Sequence, residues 1–318
     1  MGGTGTRAGE RMGSVMNGAM EALERAAPLD RVVAPVRTAV GALLRSRRVE
    51  DALHGVWLGH PLHPALVLVP AGTLASATVL DLVGGDERST RVLLGTGLAS
   101  AVPTAAAGAA DWLRMHPEQQ RVGLVHAASN VVGLALYGAS LAARVRRGAA
   151  AGGAAEAVGL GGQDVPGTRA RLLSVAGLGA LGLGGYLGGH LSYRQAGGAN
   201  HVEDVPHLVP PGWQDLCAVD DLPEAGRPAL RHLGDVPLLV VRRGRDVDVL
   251  ADRCSHLSGP LHEGRVSDDG RCITCPWHGS TFSLSDGAVL SGPATAPQHA
   301  FDVRVTEGRV QVRLPGAG

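Results

Sequence analysis

The sequence predicts an α + β multidomain protein in which a four-helix transmembrane bundle is followed by an all-β domain. Two observations support this fold class. Residues 64–192 consist mainly of Ala, Gly, Leu and Val, and they contain four apolar stretches of about 20 residues each. Residues 201–318 alternate apolar and polar residues in short strand-like runs that are broken by Gly, Asp and Pro. The change in composition predicts a domain boundary near residue 200.

The remaining boundaries also follow from composition. We expect Arg-rich amphipathic helices over 1–52, the four-span membrane bundle over 53–195, a linker over 196–212 and the all-β domain over 213–318. In the first segment, Val33, Val36 and Val40 recur at helical spacing among arginines. This pattern fits a helix that packs on the protein, and it fits equally a helix that lies on anionic lipid.

The four apolar stretches are each long enough to cross a hydrocarbon core of about 30 Å. They cover approximately residues 64–84, 92–112, 122–143 and 172–193. Buried helices of a soluble protein are the alternative, but four such lengths separated by short charged loops favour membrane spans. The Gly/Ala-rich segment 148–168 predicts a flexible loop.

The arginines predict an orientation, and the glycines predict a packing face. More arginines lie in the segments on the N-terminal side of the spans than on the opposite side. We therefore expect a multi-pass protein of the cell membrane whose N-terminus and all-β domain are cytoplasmic.

In the last span, Gly184 and Gly188 are four residues apart, as are Gly185 and Gly189, and this spacing permits close contact with another helix.

The all-β domain contains two segments with metal-binding side chains. Cys254 and His256 stand in a Cys-x-His pair, and after 18 residues Cys275 and His278 stand in a Cys-x-x-His pair. A [2Fe–2S] cluster with unequal irons uses this donor set, with two thiolates on one iron and two imidazoles on the other. Zinc is the alternative because Cys and His also bind zinc, although Cys-x-His is an unusual zinc half-site.

The stretches CSHLSGPLHEG and CITCPWHGSTFSLSDG resemble the Rieske [2Fe–2S] family, and the resemblance extends over about residues 213–314. It implies one cluster per chain with the ligands Cys254, His256, Cys275 and His278. High-potential members of the family carry a further cysteine in each ligand loop, and the two form a disulfide. The matching positions here are Gly259 and Trp277, so the chain resembles the ferredoxin and ring-hydroxylating oxygenase subtype. We expect Cys217 and Cys272 to be packed residues without a cluster role.

The helical region has polar residues of its own. The motif GHPLHP opens the first span and GGHLSYRQAG ends the last, and both resemble a bacterial four-helix membrane family of unknown function over about residues 55–197. The resemblance implies a membrane location and no chemistry. Because antiparallel spans alternate in direction, one group of polar residues is expected near a single membrane face: His60, His63, Asp111, His126 and His190.

Polar residues within membrane spans are often functional. One hypothesis is a second site at His60, His63, His126 and His190 that binds haem b or another metal, or a quinone, and exchanges electrons with the cluster. The alternative is a set of histidines that cap helices and form hydrogen bonds with one another.

These features together predict a membrane-anchored Rieske iron–sulfur protein that carries out one-electron transfer with redox partner proteins, with the lipid bilayer as its other partner. The formal net charge of zero gives no reason to expect a nucleic-acid partner. The alternatives are a Rieske component of a multi-subunit oxygenase or oxidoreductase, and a redox or iron sensor. About 40 residues follow His278, too few for the mononuclear iron domain of an oxygenase, so whether the chain is itself an enzyme stays open.

Overall fold

The computed structural model describes residues 4–158, 167–224 and 226–316. The chain divides into two compact units, each composed of two segments. The helical unit comprises Met1–Leu43 and His63–Ala196, and the β unit comprises Leu44–Leu62 and Gly197–Gly318.

The helices follow the apolar pattern of the sequence. They are α1 (Thr4–Glu24), α2 (Asp30–Leu43), α3 (Arg47–His54), α4 (Leu62–Leu66), α5 (Leu68–Val83), α6 (Glu87–Leu113), α7 (Pro117–Val158), α8 (Thr168–Gly189) and α9 (Val205–Leu208), and a π-helical turn (His190–Arg194) follows α8. Four segments are long and apolar enough to cross a membrane: Leu62–Val83, Glu87–Leu113, Pro117–Arg147 and Thr168–Arg194. Each contains most of one predicted span. Helix α7 continues into the predicted loop as far as Val158, and residues 159–166 of that loop lie outside the described residues.

Many large apolar side chains of the helical unit are exposed. In the most apolar 18-residue stretch of each long segment, at most 28% of the residues are buried. Leu68 is 72% exposed, Val102 is 70% exposed and Val131 is 64% exposed. Large apolar side chains that point outward along several helices are unfavourable in water and favourable in lipid.

Glycines on α8 allow α7 to approach closely. A Cβ atom at Gly184 would lie 2.2 Å from Oδ1 of Asn130, and one at Gly188 would lie 3.1 Å from Cε1 of His126. A Cβ atom at Gly185 would have nothing within 4 Å. Of the two glycine pairs, the one that begins at Gly184 therefore forms the helix contact.

The first two helices pack on the helical unit. Met20 and Leu23 of α1 lie against the buried cluster that contains Val122 and Leu187. Arg121 of α7 donates to both carboxylate oxygens of Asp30 in α2, at 2.7 Å each. Of the two interpretations of the N-terminal helices, packing on the protein is the one that these contacts support.

The structure and the sequence prediction differ in the unit to which α3 belongs. The sequence predicts that α3 belongs with the N-terminal helices, but it is part of the β unit. Its polar face is the packed one, because Glu50 and His54 are buried whereas Val49 is 47% exposed. An apolar stripe is the usual guide to the packed face of a helix. Composition therefore could not assign this helix.

The second difference lies in the segment 196–212, which the sequence predicts to be a linker. From Gly197 onward it belongs to the β unit. Val202, Val205 and Val209 are at most 5% exposed and lie in one apolar core with residues of the sheets. Three valines spaced through a polar stretch are too few to produce a periodic pattern.

Besides α3 and α9, the described part of the β unit contains three antiparallel sheets. Its strands are β1 (Gln214–Ala218), β2 (Pro228–Leu233), β3 (Val236–Arg243), β4 (Asp246–Ala251), β5 (Arg265–Val266), β6 (Cys272–Thr274), β7 (Thr281–Ser283), β8 (Val289–Ser291), β9 (Asp302–Thr306) and β10 (Arg309–Arg313). The sheet orders are β1-β10-β9, β2-β3-β4 and β5-β6-β7-β8. Strand β3 is apolar on both faces: Leu238 and Val240 enter one core, and Leu239 and Val241 enter the other. The second core also contains Cys254 and Cys275, so it positions the candidate site.

Candidate metal centre

Two loops with the same pattern of backbone hydrogen bonds carry the four predicted ligands. The first loop follows β4 and the second follows β6. In the first, the N–H of Cys254 donates to the carbonyl of Gly259 at 2.8 Å, and the N–H of Ser258 donates back to Cys254 at 2.8 Å. In the second, the N–H of Cys275 donates to Ser280 at 2.8 Å, and the N–H of Gly279 donates back to Cys275 at 3.2 Å.

The fifth residue of each loop has the left-handed backbone conformation. Gly279 has φ of 77° and Ser258 has φ of 60°. Glycine adopts this conformation freely, whereas a residue with a Cβ atom loses roughly 1–2 kcal/mol there. Ser258 therefore needs support from its surroundings. Its hydroxyl lies 3.2 Å from Nδ1 of His201, and the N–H of His201 donates to the carbonyl of Ser255 at 3.0 Å.

The two predicted thiolate ligands meet in the interior. Cys254 is 2% exposed and Cys275 is 4% exposed. A hydrogen bond between the two thiols raises the pKa of Cys254 and lowers the pKa of Cys275 to about 7. Burial acts against ionisation of both, while the backbone N–H groups of Trp277 and His278 also lower the pKa of Cys275. These donors favour the thiolate, which is the form that binds a metal.

The two predicted imidazole ligands lie side by side. The ring centroids of His256 and His278 are 5.0 Å apart, and the rings are nearly perpendicular at 83°. Both histidines are partly exposed, unlike the two cysteines. The fold thus sorts the four side chains by type, with the sulfur atoms inside and the imidazoles nearer to solvent.

The two positions that would carry the extra cysteines of a high-potential site face each other. A Cβ atom at Gly259 would lie 3.2 Å from the indole carbons of Trp277 and 2.8 Å from Sγ of Cys275. The indole therefore covers Gly259, and the absence of a side chain at Gly259 leaves room for the sulfur. All four cysteines of the sequence are free thiols in the structure.

The donor chemistry fits a two-iron centre. Two thiols in one pair and two imidazoles in another correspond to the donor set in which one iron takes two thiolates and the other takes two imidazoles. Structural zinc takes four donors around one ion, and the zinc alternative stays a prediction. The residues present therefore fit a [2Fe–2S] cluster.

Ser280 is a residue of this site that the sequence did not indicate. Its side chain is fully buried, its hydroxyl accepts the N–H of Ala294 at 2.9 Å, and it lowers the pKa of Cys254 through a hydrogen bond. A serine two residues after the last ligand carries no recognisable signal in a single sequence. Cys217 is buried in the first core, whereas Cys272 lies in β6 and is half-buried.

The histidines of the helical unit are held by hydrogen bonds. His63 Nδ1 lies 2.9 Å from the carbonyl of Thr104. His126 uses both ring nitrogens, with Nδ1 at 2.7 Å from the carbonyl of Gly184 and Nε2 at 3.1 Å from Asn130.

Two of the histidines predicted for the second site lie near each other. The rings of His63 and His126 are 6.4 Å apart. His190 pairs with Glu24 at 2.6 Å, and His60 belongs to the β unit, where its Nδ1 lies 3.1 Å from the carbonyl of Pro61. Asp111 lies near the end of α6. These contacts are those of histidines that tie helices together, and the haem and quinone hypotheses stay predictions.

The sequence also gave no indication of a buried ion network in the helical unit. Arg144 donates to both oxygens of Asp81 and to Glu87, all at 2.6 Å. Arg91 donates to the second oxygen of Glu87 at 3.2 Å. The network joins α5, α6 and α7 at the end of the unit opposite to His63 and His126 along the helices.

Comparison with known proteins finds a matching family model for each of the two regions of the chain. The family model described as "Rieske [2Fe-2S] domain" matches residues 212–307, and the one described as "Predicted membrane protein (DUF2231)" matches residues 59–201. Ferredoxin CarAc of Metapseudomonas resinovorans is 36% identical over 100 residues, which are 31% of this chain and 92% of the relative.

Two further similarities concern the same region. The ferredoxin subunit of anthranilate 1,2-dioxygenase from Burkholderia cepacia is 34% identical over 102 residues, which are 32% of this chain and 92% of that protein. Among solved structures, the ferredoxin of carbazole 1,9a-dioxygenase from Nocardioides aromaticivorans is 27% identical with a TM-score of 0.31, and the match covers 32% of this chain and 97% of that one. The match to the Rieske model contains both ligand loops.

Proposed function

Because the chain belongs to the Rieske [2Fe–2S] family through its residues 212–307, we propose that it is a one-electron carrier whose helical unit anchors it in a membrane. The observation that carries this proposal is the sorting of the four loop side chains. Two thiols meet in the core and two imidazoles lie together at partial exposure. This arrangement fits a [2Fe–2S] cluster that would take two thiolates on one iron and two imidazoles on the other.

The ligands that we propose are Cys254 and Cys275 for one iron and His256 and His278 for the other. When bound, the cluster supplies a one-electron redox couple. The buried cysteines keep water from the sulfur side of the site, and the N–H groups of Trp277 and His278 stabilise negative charge at Cys275. Because the two ligand loops lack the disulfide of the high-potential subtype, we expect a potential low in the family range.

The partner that we propose is a protein that docks over the two imidazoles. Trp277 lies directly before His278 in the sequence and is 49% exposed, so it offers an aromatic contact beside the accessible side of the site. Aromatic residues are enriched in protein interfaces. Because one relative is named as the ferredoxin subunit of a dioxygenase, an oxygenase is the class of partner that we propose.

The membrane location rests on the four long apolar segments and on their exposed apolar side chains. We place the β unit on the cytoplasmic side because of the arginine distribution in the sequence. Alkaline carbonate extraction should leave the full chain in the membrane pellet. Protease added to intact spheroplasts should leave a C-terminal epitope tag uncut, and cleavage of the tag would contradict the proposed orientation.

The electron-transfer proposal is tested with the full chain purified in detergent. We expect a red-brown protein with one [2Fe–2S] cluster per chain, a rhombic EPR signal after dithionite reduction, and reversible reoxidation. Cys275→Ser should abolish the signal, whereas Cys272→Ser, a change of the same kind three residues earlier, should keep it. A colourless wild-type protein that contains zinc, or a cluster that cannot be cycled between redox states, would refute the proposal.

A further inference from the structure

The two segments of the β unit that adjoin the helical unit in the sequence lie against the two ligand loops. The chain leaves the β unit at Leu62 and returns to it at Gly197. Helix α3 precedes the first point, and His201 follows the second by a few residues. Both lie outside residues 212–307, which match the Rieske family model, so these contacts are additions to the shared domain.

Helix α3 contacts the loop that contains Cys275 and His278. Arg47 donates to the carbonyl of Gly279, the residue directly after His278, at 2.8 Å. The same guanidinium also donates to the carbonyl of Gly292 and to the hydroxyl of Ser291. Arg47 therefore links the second ligand loop to the chain that follows β8.

Asp51 completes this contact from the next turn of α3. Its carboxylate accepts the hydroxyl of Ser291 at 3.0 Å and the N–H of Gly292 at 2.9 Å. The backbone of Gly292 is also close to the segment that follows α3, because a Cβ atom there would lie 3.0 Å from Cγ2 of Val56. Side chains one helical turn apart thus hold the same short stretch, which makes the contact specific for α3.

His201 holds the other ligand loop. Its N–H donates to the carbonyl of Ser255, which lies between the two ligands of that loop, and its ring lies 3.2 Å from the hydroxyl of Ser258. Ser258 has the left-handed backbone conformation, which a serine rarely adopts without support. His201 therefore stabilises the loop at Ser258, the residue with the unfavourable backbone conformation.

We propose that Arg47 and His201 are positioning residues of the cluster site, and that Arg47 also raises the reduction potential through its charge. The inference rests on the proposed electron-transfer function, since it requires a cluster on the four ligands. Reduction adds one electron, and so one negative charge, to the site. A cation bound to the backbone next to His278 stabilises that charge. Removal of Arg47 also takes a cation away from Asp51, whose carboxylate lies 3.6 Å from the guanidinium.

The test is a redox titration of the full chain in detergent, with dithionite as reductant, ferricyanide as oxidant and EPR detection. Arg47→Ala should shift the reduction equilibrium about tenfold toward the oxidised cluster, which corresponds to 59 mV for one electron. Arg48→Ala removes the same charge from the neighbouring exposed position and should shift it less than twofold. Arg47→Lys should recover most of the loss because it retains the charge.

Two further variants keep the test decisive if Arg47→Ala does not fold. Asp51→Asn keeps the shape and removes a negative charge, so it should shift the equilibrium in the opposite direction, toward the reduced cluster. His201→Ala should speed iron loss to a chelator at least threefold, whereas His207→Ala, at an exposed position nearby, should not change the rate.

The proposal is overturned if cluster-loaded Arg47→Ala and Arg48→Ala have the same potential, or if Asp51→Asn shifts it in the same direction as Arg47→Ala. An unchanged rate of iron loss in His201→Ala would overturn the assignment of that residue. These failures differ from a failure of the electron-carrier proposal, in which the wild-type protein itself has no reducible cluster.

Discussion

The helical unit and the β unit each bring a set of polar side chains together, and the two sets differ in composition. In the helical unit, Arg144 and Arg91 face Asp81 and Glu87, so two positive charges meet two negative ones. In the β unit, like groups are collected instead, a thiol beside a thiol and an imidazole beside an imidazole. A set of opposite charges is complete in itself, whereas a set of like donors is explained by a ligand that binds between them.

The largest effect that we expect concerns the ion network of the helical unit. Arg144→Ala leaves Asp81 and Glu87 buried without their main cation, because the Arg144 side chain is only 1% exposed. Removal of one partner of a buried ion pair costs about 3–5 kcal/mol. Thermal unfolding of the detergent-solubilised chain should show this loss, and the EPR spectrum of the cluster should not change.

Two further variants show whether the ion network contributes only to stability or also to electron transfer. Arg146→Ala changes an exposed arginine on the same helix and should leave the unfolding temperature nearly unchanged. Replacement of Arg144, Asp81 and Glu87 together by Met, Leu and Met should restore most of the stability, since well-packed apolar residues can replace a buried ion network. A stable triple variant that fails in electron transfer would show that the network does more than hold the helices.

An effect of intermediate size is expected at the candidate metal centre of the β unit. Gly259→Ala would place a Cβ atom 2.8 Å from Sγ of Cys275, closer than atoms in contact allow. Overpacking of this kind costs about 1–3 kcal/mol. We expect lower cluster occupancy and an earlier loss of the visible spectrum in denaturant. Gly185→Ala in α8 has open space around the new methyl group, and a similar loss there would contradict the steric explanation.

How much of each set the sequence predicts depends on how local its pattern is. The pairs Cys254 with His256 and Cys275 with His278 are compact motifs, so their loops could be predicted, and so could the four apolar spans. The network around Arg144 could not be predicted, because its members come from three helices and single charged residues near span ends are ordinary. The role of α3 was also hidden, since its polar face is the packed one.

The smallest effect tests whether burial, and not the ion pair itself, distinguishes the two units. Arg253 and Asp204 in the β unit are 2.6 Å apart, the same distance as Arg144 and Asp81, but their side chains are 34% and 48% exposed. An exposed pair contributes only about 0.2–1 kcal/mol. Asp204→Asn should therefore lower the free energy of unfolding by that amount at pH 7, far less than Arg144→Ala.

The pH dependence of this pair has a definite sign. The hydrogen bond from Arg253 holds the pKa of Asp204 below its ordinary value. A carboxylate whose pKa is lower in the folded state contributes stability above its unfolded pKa of about 3.9 and loses it as the pH falls through the folded pKa. The difference between wild type and Asp204→Asn should thus be full at pH 6–7 and vanish in acid. A cost at Asp204 as large as that at Arg144 would mean that burial is not what separates the two units.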